Sequence, residues 1–424
     1  MSDPIGPTVM LPPQPAGYKH RFHAMVKPGG SLCNLDCTYC YYLHKEGLLH
    51  QPRMPRMSDE ILEQHIRQYI EAQTGREVVF SWQGGEPTLL GLEFFRKVVA
   101  LEARYKKPFQ VIQNDLQTNG TLLNDEWAEF LKQHHFLVGL SCDGPKRLHD
   151  QYRVTKGGQP THDRVIAAAR VLRKHDVPLN ALCVINRENA RYPLDVYRFL
   201  TRELGVRRVQ LIACVEPKVF HNVAPQFWDS SSIPLTGTPQ ARPGVPDSVV
   251  TDWSVDPEDW GEFLCKVWDD WYRRDYGRVH VDIFETAVAQ SMGLSSQRCI
   301  TAEFCGKGMV VEHNGDVFSC DHYAYPEYRV GNIRETHWGS MAYSEVQKKF
   351  GFAKRDTLPA YCRQCESLNL CWGECPKNRL VRTPEGEAGL NYLCAGLRKF
   401  YTHIQGDMPR ILRRVREGRA GAVW

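Results

Sequence analysis

Cys33, Cys37 and Cys40 place three thiols within eight residues, at spacings of four and three. An iron–sulfur cubane takes one cysteine thiolate per iron, four in all. A three-cysteine loop therefore leaves one iron open to a ligand that is not protein, a substrate or a cofactor. A zinc loop short of its fourth ligand and a chance cluster in a cysteine-rich chain are the competing readings. The surroundings decide among them.

A second cysteine system fills the last third: Cys299, Cys305 and Cys320, then Cys362, Cys365, Cys371, Cys375 and Cys394. Eight thiols in 96 residues are enough for two four-thiolate sites. Four of them crowd into the fourteen residues 362–375, unlike the separated knuckle pairs of zinc ribbons. Iron–sulfur ligation tolerates such compact runs, and on spacing alone zinc stays open beside it. Cys142, Cys183, Cys214 and Cys265 are isolated and read as small buried hydrophobes.

The elements that must position these thiols alternate. Apolar strand candidates at 22–27, 78–82, 110–117, 136–141, 179–185 and 209–214 are separated by amphipathic helix candidates at 58–73, 92–105, 124–134, 161–175 and 191–204. Six βα-type units with continuous apolar strands predict an α/β fold, a parallel sheet covered by helices, with the chemistry in the loops after the strands. Those loops are the three-cysteine run, Gln83-Gly84-Gly85-Glu86-Pro87-Thr88, Thr118-Asn119-Gly120 and Cys142-Asp143-Gly144-Pro145. The Pro/Ser-rich region 222–257 reads as a linker or inserted loop, ordered on binding. Trp260, Phe263, Leu264, Val267, Trp268 and Trp271 recur at helical spacing and predict a core-packed helix within a connector over 258–298. Met309 to Val311 and Val317 to Ser319, joined at Asn314-Gly315, predict a β-hairpin. It belongs to a C-terminal domain over 299–400 held by metal more than by core. The remaining divisions are a leader 1–20, a barrel domain 21–221 and a basic tail 401–424.

Composition bounds the function. A chain of 424 residues predicts two or three domains. A mean hydropathy of −0.44 and the lack of a long apolar run argue against a membrane span. The proline-rich N-terminus lacks the layout of a signal peptide and predicts a cytoplasmic protein. A net charge of +4 is too small to argue for nucleic acid, and Arg410, Arg413, Arg414, Arg416 and Arg419 read as a solvated helix end. Fifteen cysteines in a reducing compartment favour metal ligation over disulfides.

The Cys33-x3-Cys37-x2-Cys40 run followed by an aromatic, with Gly84-Gly85-Glu86-Pro87 after the second strand, resembles the radical S-adenosylmethionine superfamily. That resemblance implies a partial (β/α)6 barrel whose three-cysteine 4Fe–4S cluster binds S-adenosylmethionine at its open iron and cleaves it to a 5′-deoxyadenosyl radical. The C-terminal cysteine order resembles the SPASM extension with two auxiliary 4Fe–4S clusters, three clusters in all. Within that group, Cys320-Asp321-His322-Tyr323, Ser141 to Pro145 with Arg153 twelve residues after Ser141, and the aromatic stretch before Cys299 resemble the anaerobic sulfatase-maturating enzymes.

The resemblance implies Cys299, Cys305, Cys320 and Cys375 for one auxiliary cluster and Cys362, Cys365, Cys371 and Cys394 for the other. It puts Tyr42, Gln83, Ser141, Arg153 and Val215 at S-adenosylmethionine. Gly84 and Gly85 would admit the cofactor's methionine end, and Glu86 or nearby carbonyls would accept from its ammonium. Asp321 matches the general base. The implied reaction oxidises a cysteine or serine of an unfolded or nascent sulfatase polypeptide to Cα-formylglycine, with electrons from a donor such as flavodoxin or ferredoxin. Plain structural readings stand beside these: Asp321 as a turn residue, Arg153 as a surface charge, Gly84 and Gly85 as turn formers, Tyr41 and Tyr42 as core aromatics. The rivals are a SPASM enzyme that crosslinks another precursor peptide and a non-catalytic metal-stabilised binding or electron-transfer protein. Anaerobic reconstitution is expected to load about twelve irons per chain, as three cubanes require; zinc without cleavage of S-adenosylmethionine would sink the reading.

Overall fold

Ten strands share one sheet: β1 (His23–Lys27), β2 (Glu77–Trp82), β3 (Val111–Thr118), β4 (Phe136–Ser141), β5 (Leu179–Ile185), β6 (Arg208–Ala213), β7 (His280–Val281), β8 (Gly308–Glu312), β9 (Asp316–Phe318) and β10 (Arg329–Asn332). Their spatial order is β10-β9-β8-β1-β2-β3-β4-β5-β6-β7. This computed structural model describes residues 21–417; the leader 1–20 and the tail beyond 417, with Arg419, lie outside the described residues. β1 to β7 pair in parallel, as strands joined by helical crossovers must. The fold is the α/β sheet that the alternation predicts, with a cysteine-rich C-terminal part.

The helices form where capping and periodicity coincide. Ser58 accepts from Ile61 N–H at the head of Asp59–Ala72, with Asp59 and Glu60 in the first turn. Asn124 does the same for Asp125–Gln133. Leu92–Tyr105 and His162–Lys174 complete the set, each with a buried apolar face. The helix expected over 191–204 is present but starts later: Pro193–Arg198 is α-helical and runs on as π-helix over Phe199–Glu203, while Tyr192 sits at φ −126°, ψ 53°. The proline ring crowds the residue before it out of the helical region.

The hairpin does not stand apart as a metal-held unit. β8 pairs in parallel with β1, from His23 beside Gly308 to Lys27 beside Glu312. Met309, Val311 and Val317 are buried in the core that β1 and β2 share. Sequence reasoning also passed over β7 and β10, two and four residues long, too short to show a period.

Helix Pro257–Arg274 buries Trp260, Phe263, Trp268 and Trp271. It crosses Cys394–Ile404 where Gly261 faces Gly396; a Cβ on Gly396 would lie 2.0 Å from Pro257 O. The Pro/Ser-rich segment is tied down along its length, Lys218 N–H to Val249 O at 3.1 Å, Thr236 N–H to Arg382 O at 2.9 Å and Val255 N–H to Cys214 O at 2.8 Å. Among the described residues no helix is long and apolar enough to cross a membrane. Because the two glycines let the backbones touch, Gly396→Ala is expected to cost about 1–3 kcal/mol through overpacking, read as a lower melting temperature; unchanged melting would mean that the crossing can relax.

Candidate functional site

The three-cysteine loop follows β1 and is clamped from two sides. Gly85 N–H donates to Gly30 O at 2.9 Å and Glu86 N–H to Leu32 O at 2.8 Å, while Asp36 N–H and Thr38 N–H donate to Val154 O and Tyr152 O at 2.8 and 3.1 Å. Gly85 permits this approach: a Cβ there would meet Leu32 O at 2.0 Å, and one on Gly84, at φ +131°, would meet Gly30 O at 2.9 Å. These glycines let the loop after β2 close directly on the chain's own cysteine loop. Glu86 supports the same closure. It is buried, and its oxygens accept from Thr88 N–H, the Thr88 and Thr118 hydroxyls and Asn119 N–H at 2.6–3.0 Å. It locks the loops after β2 and β3 together, three of these bonds falling on Oε1 and one on Oε2.

Burial pushes the Cys33 and Cys37 thiols up to about 12, and Cys40 acting on each adds to the rise. The Leu35 backbone N–H and the Asn119 side-chain amide point at Cys33 Sγ, at 3.4 and 3.8 Å. Such thiols stay protonated as bare groups, and a bound metal cation is what turns them into thiolates.

The C-terminal thiols fall into two neighbourhoods. Cys320 is raised well above the ordinary range by burial and then by Cys299, Cys375 and Cys305. Cys371, after burial, feels Cys394 and Cys362; Cys394, after burial, feels Cys362 and Cys365. Among the described residues no three His, Cys, Asp or Glu side chains converge on one point. Thiols that share a neighbourhood without sharing a point suit a cubane, which takes each on a different iron. Cys142, Cys183, Cys214 and Cys265 are buried apart from these sets.

Asp321 follows Cys320 after β9 and is 7% exposed. Lys27 Nζ, from the end of β1, stands 2.6 Å from one carboxylate oxygen, and the Tyr41 hydroxyl donates to the other. Burial pushes the carboxyl up; Lys27, His322 and the two hydrogen bonds outweigh it and hold it below the usual range. Its partners are side chains, so it does not serve as a turn residue. Lys27 Nζ also lies 4.3 Å from the Tyr42 ring centre, and the Tyr42 hydroxyl donates to Glu312 at the end of β8. Beside Asp321 lies a small cleft lined by Tyr41, Lys45, Glu216, His322, Tyr325 and Lys377.

Across the sheet, Arg153 is buried, not a surface charge. Its Nε donates to Asp143 Oδ2 at 2.9 Å, and its guanidinium lies 5.4 Å from the Tyr39 ring centre. Asp143, fully buried, also accepts from the Tyr39 hydroxyl and from Val184 N–H at 3.1 Å. Ser141 Oγ accepts from Gln117 at 3.0 Å. Gln83 N–H donates to Val26 O at 2.9 Å, and Val215 O accepts from Lys377. Tyr42, Gln83, Ser141, Arg153 and Val215 all lie at or beyond the C-terminal ends of strands, or beside the loop that follows one. Sequence reasoning gave no role to Lys27, Asp143, Glu216 and Lys377; Lys27, a charge closing an apolar strand, and Asp143, inside the Cys142–Pro145 loop, carried a signal.

Residues 28–200 match the Radical SAM superfamily, and residues 299–366 match the SPASM iron-sulfur cluster-binding domain. These define a radical enzyme with S-adenosylmethionine-binding and iron–sulfur cluster-binding parts. The chain is 42% identical over 389 residues, 92% of its length and 91% of the relative's, to the serine-type anaerobic sulfatase-maturating enzyme of Bacteroides thetaiotaomicron. It is 31% identical to the cysteine-type enzyme of Clostridium perfringens over 92% of its own length and 96% of that relative's. Native anSMEcpe with bound AdoMet and Cp18Cys peptide has the same fold, with a TM-score of 0.78 at 30% identity, covering 93% of this chain and 99% of that one. The chain belongs to the anaerobic sulfatase-maturating enzymes.

With Asp143 fully buried, Arg153→Met leaves a carboxylate without its cation and is expected to cost about 3–5 kcal/mol. Adding Asp143→Asn should recover part of that loss in a urea titration. An Arg153→Met variant as stable as the parent would show that Tyr39 and Val184 hold Asp143 alone.

Proposed function

We propose that this chain oxidises a side chain of an unfolded or nascent sulfatase polypeptide to Cα-formylglycine, serine first, because the 42% identical relative is serine-type and the cysteine-type one is 31% identical. The observation that carries the reading is a buried carboxylate, Asp321, gripped on both oxygens at the edge of a cleft and one residue from a clustered thiol. In this reading Cys33, Cys37 and Cys40 hold the cluster that binds S-adenosylmethionine. Cys299, Cys305, Cys320 and Cys375 hold a second, and Cys362, Cys365, Cys371 and Cys394 a third.

The bound cofactor and clusters supply hydrogen-atom abstraction from the substrate Cβ and acceptance of one electron. The chain's own residues do the rest. Asp321 takes the hydroxyl or thiol proton, and Lys27 and Tyr41 keep its carboxylate ionised and aimed. The two terminal nitrogens of Arg153, which Asp143 leaves unused, suit the cofactor's carboxylate or ribose oxygens. Tyr42, Gln83, Ser141 and Val215 complete the cofactor's seat, with the backbone of Gly84 and Gly85. An external flavodoxin or ferredoxin supplies electrons, and the reducing chemistry places the enzyme in the cytoplasm. In this reading 21–221 is the barrel and 299–400 the cluster domain, with the loop 222–257 and the helical connector 258–298 between them.

Asp321→Asn, incubated anaerobically with S-adenosylmethionine, a reductant and a serine-containing sulfatase peptide, is expected to keep its iron content. Formylglycine formation, followed by mass spectrometry, should fall about 10²–10⁴-fold. Normal turnover would remove Asp321 from the mechanism, and a crosslinked product would favour the precursor-peptide enzymes.

A further inference from the structure

Lys45 is 1% exposed, lines the cleft beside Asp321, and its ammonium has no hydrogen-bond partner within the chain. Its nitrogen lies 3.1 Å from the centre of the Tyr325 ring, whose face can take one N–H and leaves the other donors unmet. Buried ammoniums are normally paired or fully hydrogen-bonded. Neighbouring carboxylates do not fill the gap: Glu216 is held by Lys377 at 2.9 Å, and Asp321 by Lys27. Burial pulls Lys45 down to about 7, so part of its population still carries the charge at neutral pH.

The walls of the cleft are tied together around this group. The Tyr325 hydroxyl donates to Phe220 O at 2.6 Å and the Tyr328 hydroxyl to Pro225 O at 2.7 Å, tying the loop after β6 to the segment after β9. Phe220, Trp228 and Tyr325 give it aromatic walls. The neighbouring His44 ring is buried against Phe220, at 4.9 Å between centres, with both nitrogens unpartnered. Aromatic walls, unpartnered donors and already paired carboxylates suit a chain of neutral carbonyl oxygens more than a small anion.

We propose that Lys45 is a substrate-binding residue, its ammonium donating to main-chain carbonyl oxygens of the polypeptide that flank the residue being oxidised. The proposal rests on the reading of this cleft as the seat of the sulfatase peptide. The test uses the reconstituted full-length enzyme and a fluorescent serine-containing sulfatase peptide. Lys45→Met is expected to keep the iron content and to melt no lower than the parent, since it removes a charge without a partner. It should weaken peptide binding by anisotropy at least tenfold and raise the peptide KM by a similar factor, with a smaller change in kcat. Lys45→Arg should stay within a few-fold of the parent. Parent-like peptide binding by Lys45→Met would overturn the proposal. So would a raised KM for S-adenosylmethionine with the peptide KM unmoved, which would give Lys45 to the cofactor. A parent enzyme that binds the peptide without oxidising it overturns the proposed function alone.

Discussion

The site depends on one backbone pairing, the parallel ladder between β1 and β8 that sets Lys27 beside Glu312. Some 280 residues separate the two strands. Without that register Lys27 would close an ordinary strand, and the carboxylate after β9 would lie buried with no cation. With it, Lys27 reaches Asp321, Tyr41 and Tyr42 come from the cysteine loop, and Glu312 receives the Tyr42 hydroxyl. Both halves of the chain therefore meet in side chains that share protons and charge, and a buried ion pair of this kind tolerates little displacement before its desolvation is uncompensated.

Around that pairing the loops hold one another rather than the surface. Glu86 bridges two of them, Gly85 brings a third within contact distance, and residues 152–155 close the far side. Rigid support of this kind fixes the direction of a reactive group to fractions of an ångström, which chemistry on an unactivated carbon demands. The Cys33 and Cys37 thiols sit buried in this frame.

Much of this was legible in the residues. The six apolar strands and their helices declared themselves by period, because each strand is covered on its faces and each helix on one. The three groups of thiols could be sorted by resemblance, and within each group thiols raise one another's pKa. What sequence could not give was partnership. A carboxylate type does not name its partners: Glu86 meets Thr88, Thr118 and Asn119 within the chain. Arg153 and Asp143 stand ten residues apart with nothing in their spacing to mark a pair. The hairpin's own turn signal was clear, yet its docking on β1 is a long-range event that no local pattern encodes. Pro193 was visible, but its effect on Tyr192 was not given weight against a helical period.

The interleaving of the C-terminal thiols bears on biogenesis. Cys375 neighbours Cys299, Cys305 and Cys320, yet it follows Cys371, which neighbours Cys362 and Cys394. Neither group is complete on a ribosome-bound chain until residue 375 or 394 has been made. β1, among the first strands synthesised, waits for β8 as well. Assembly of both C-terminal groups is thereby deferred to nearly finished chains, whereas Cys33, Cys37 and Cys40 are made among the first forty residues.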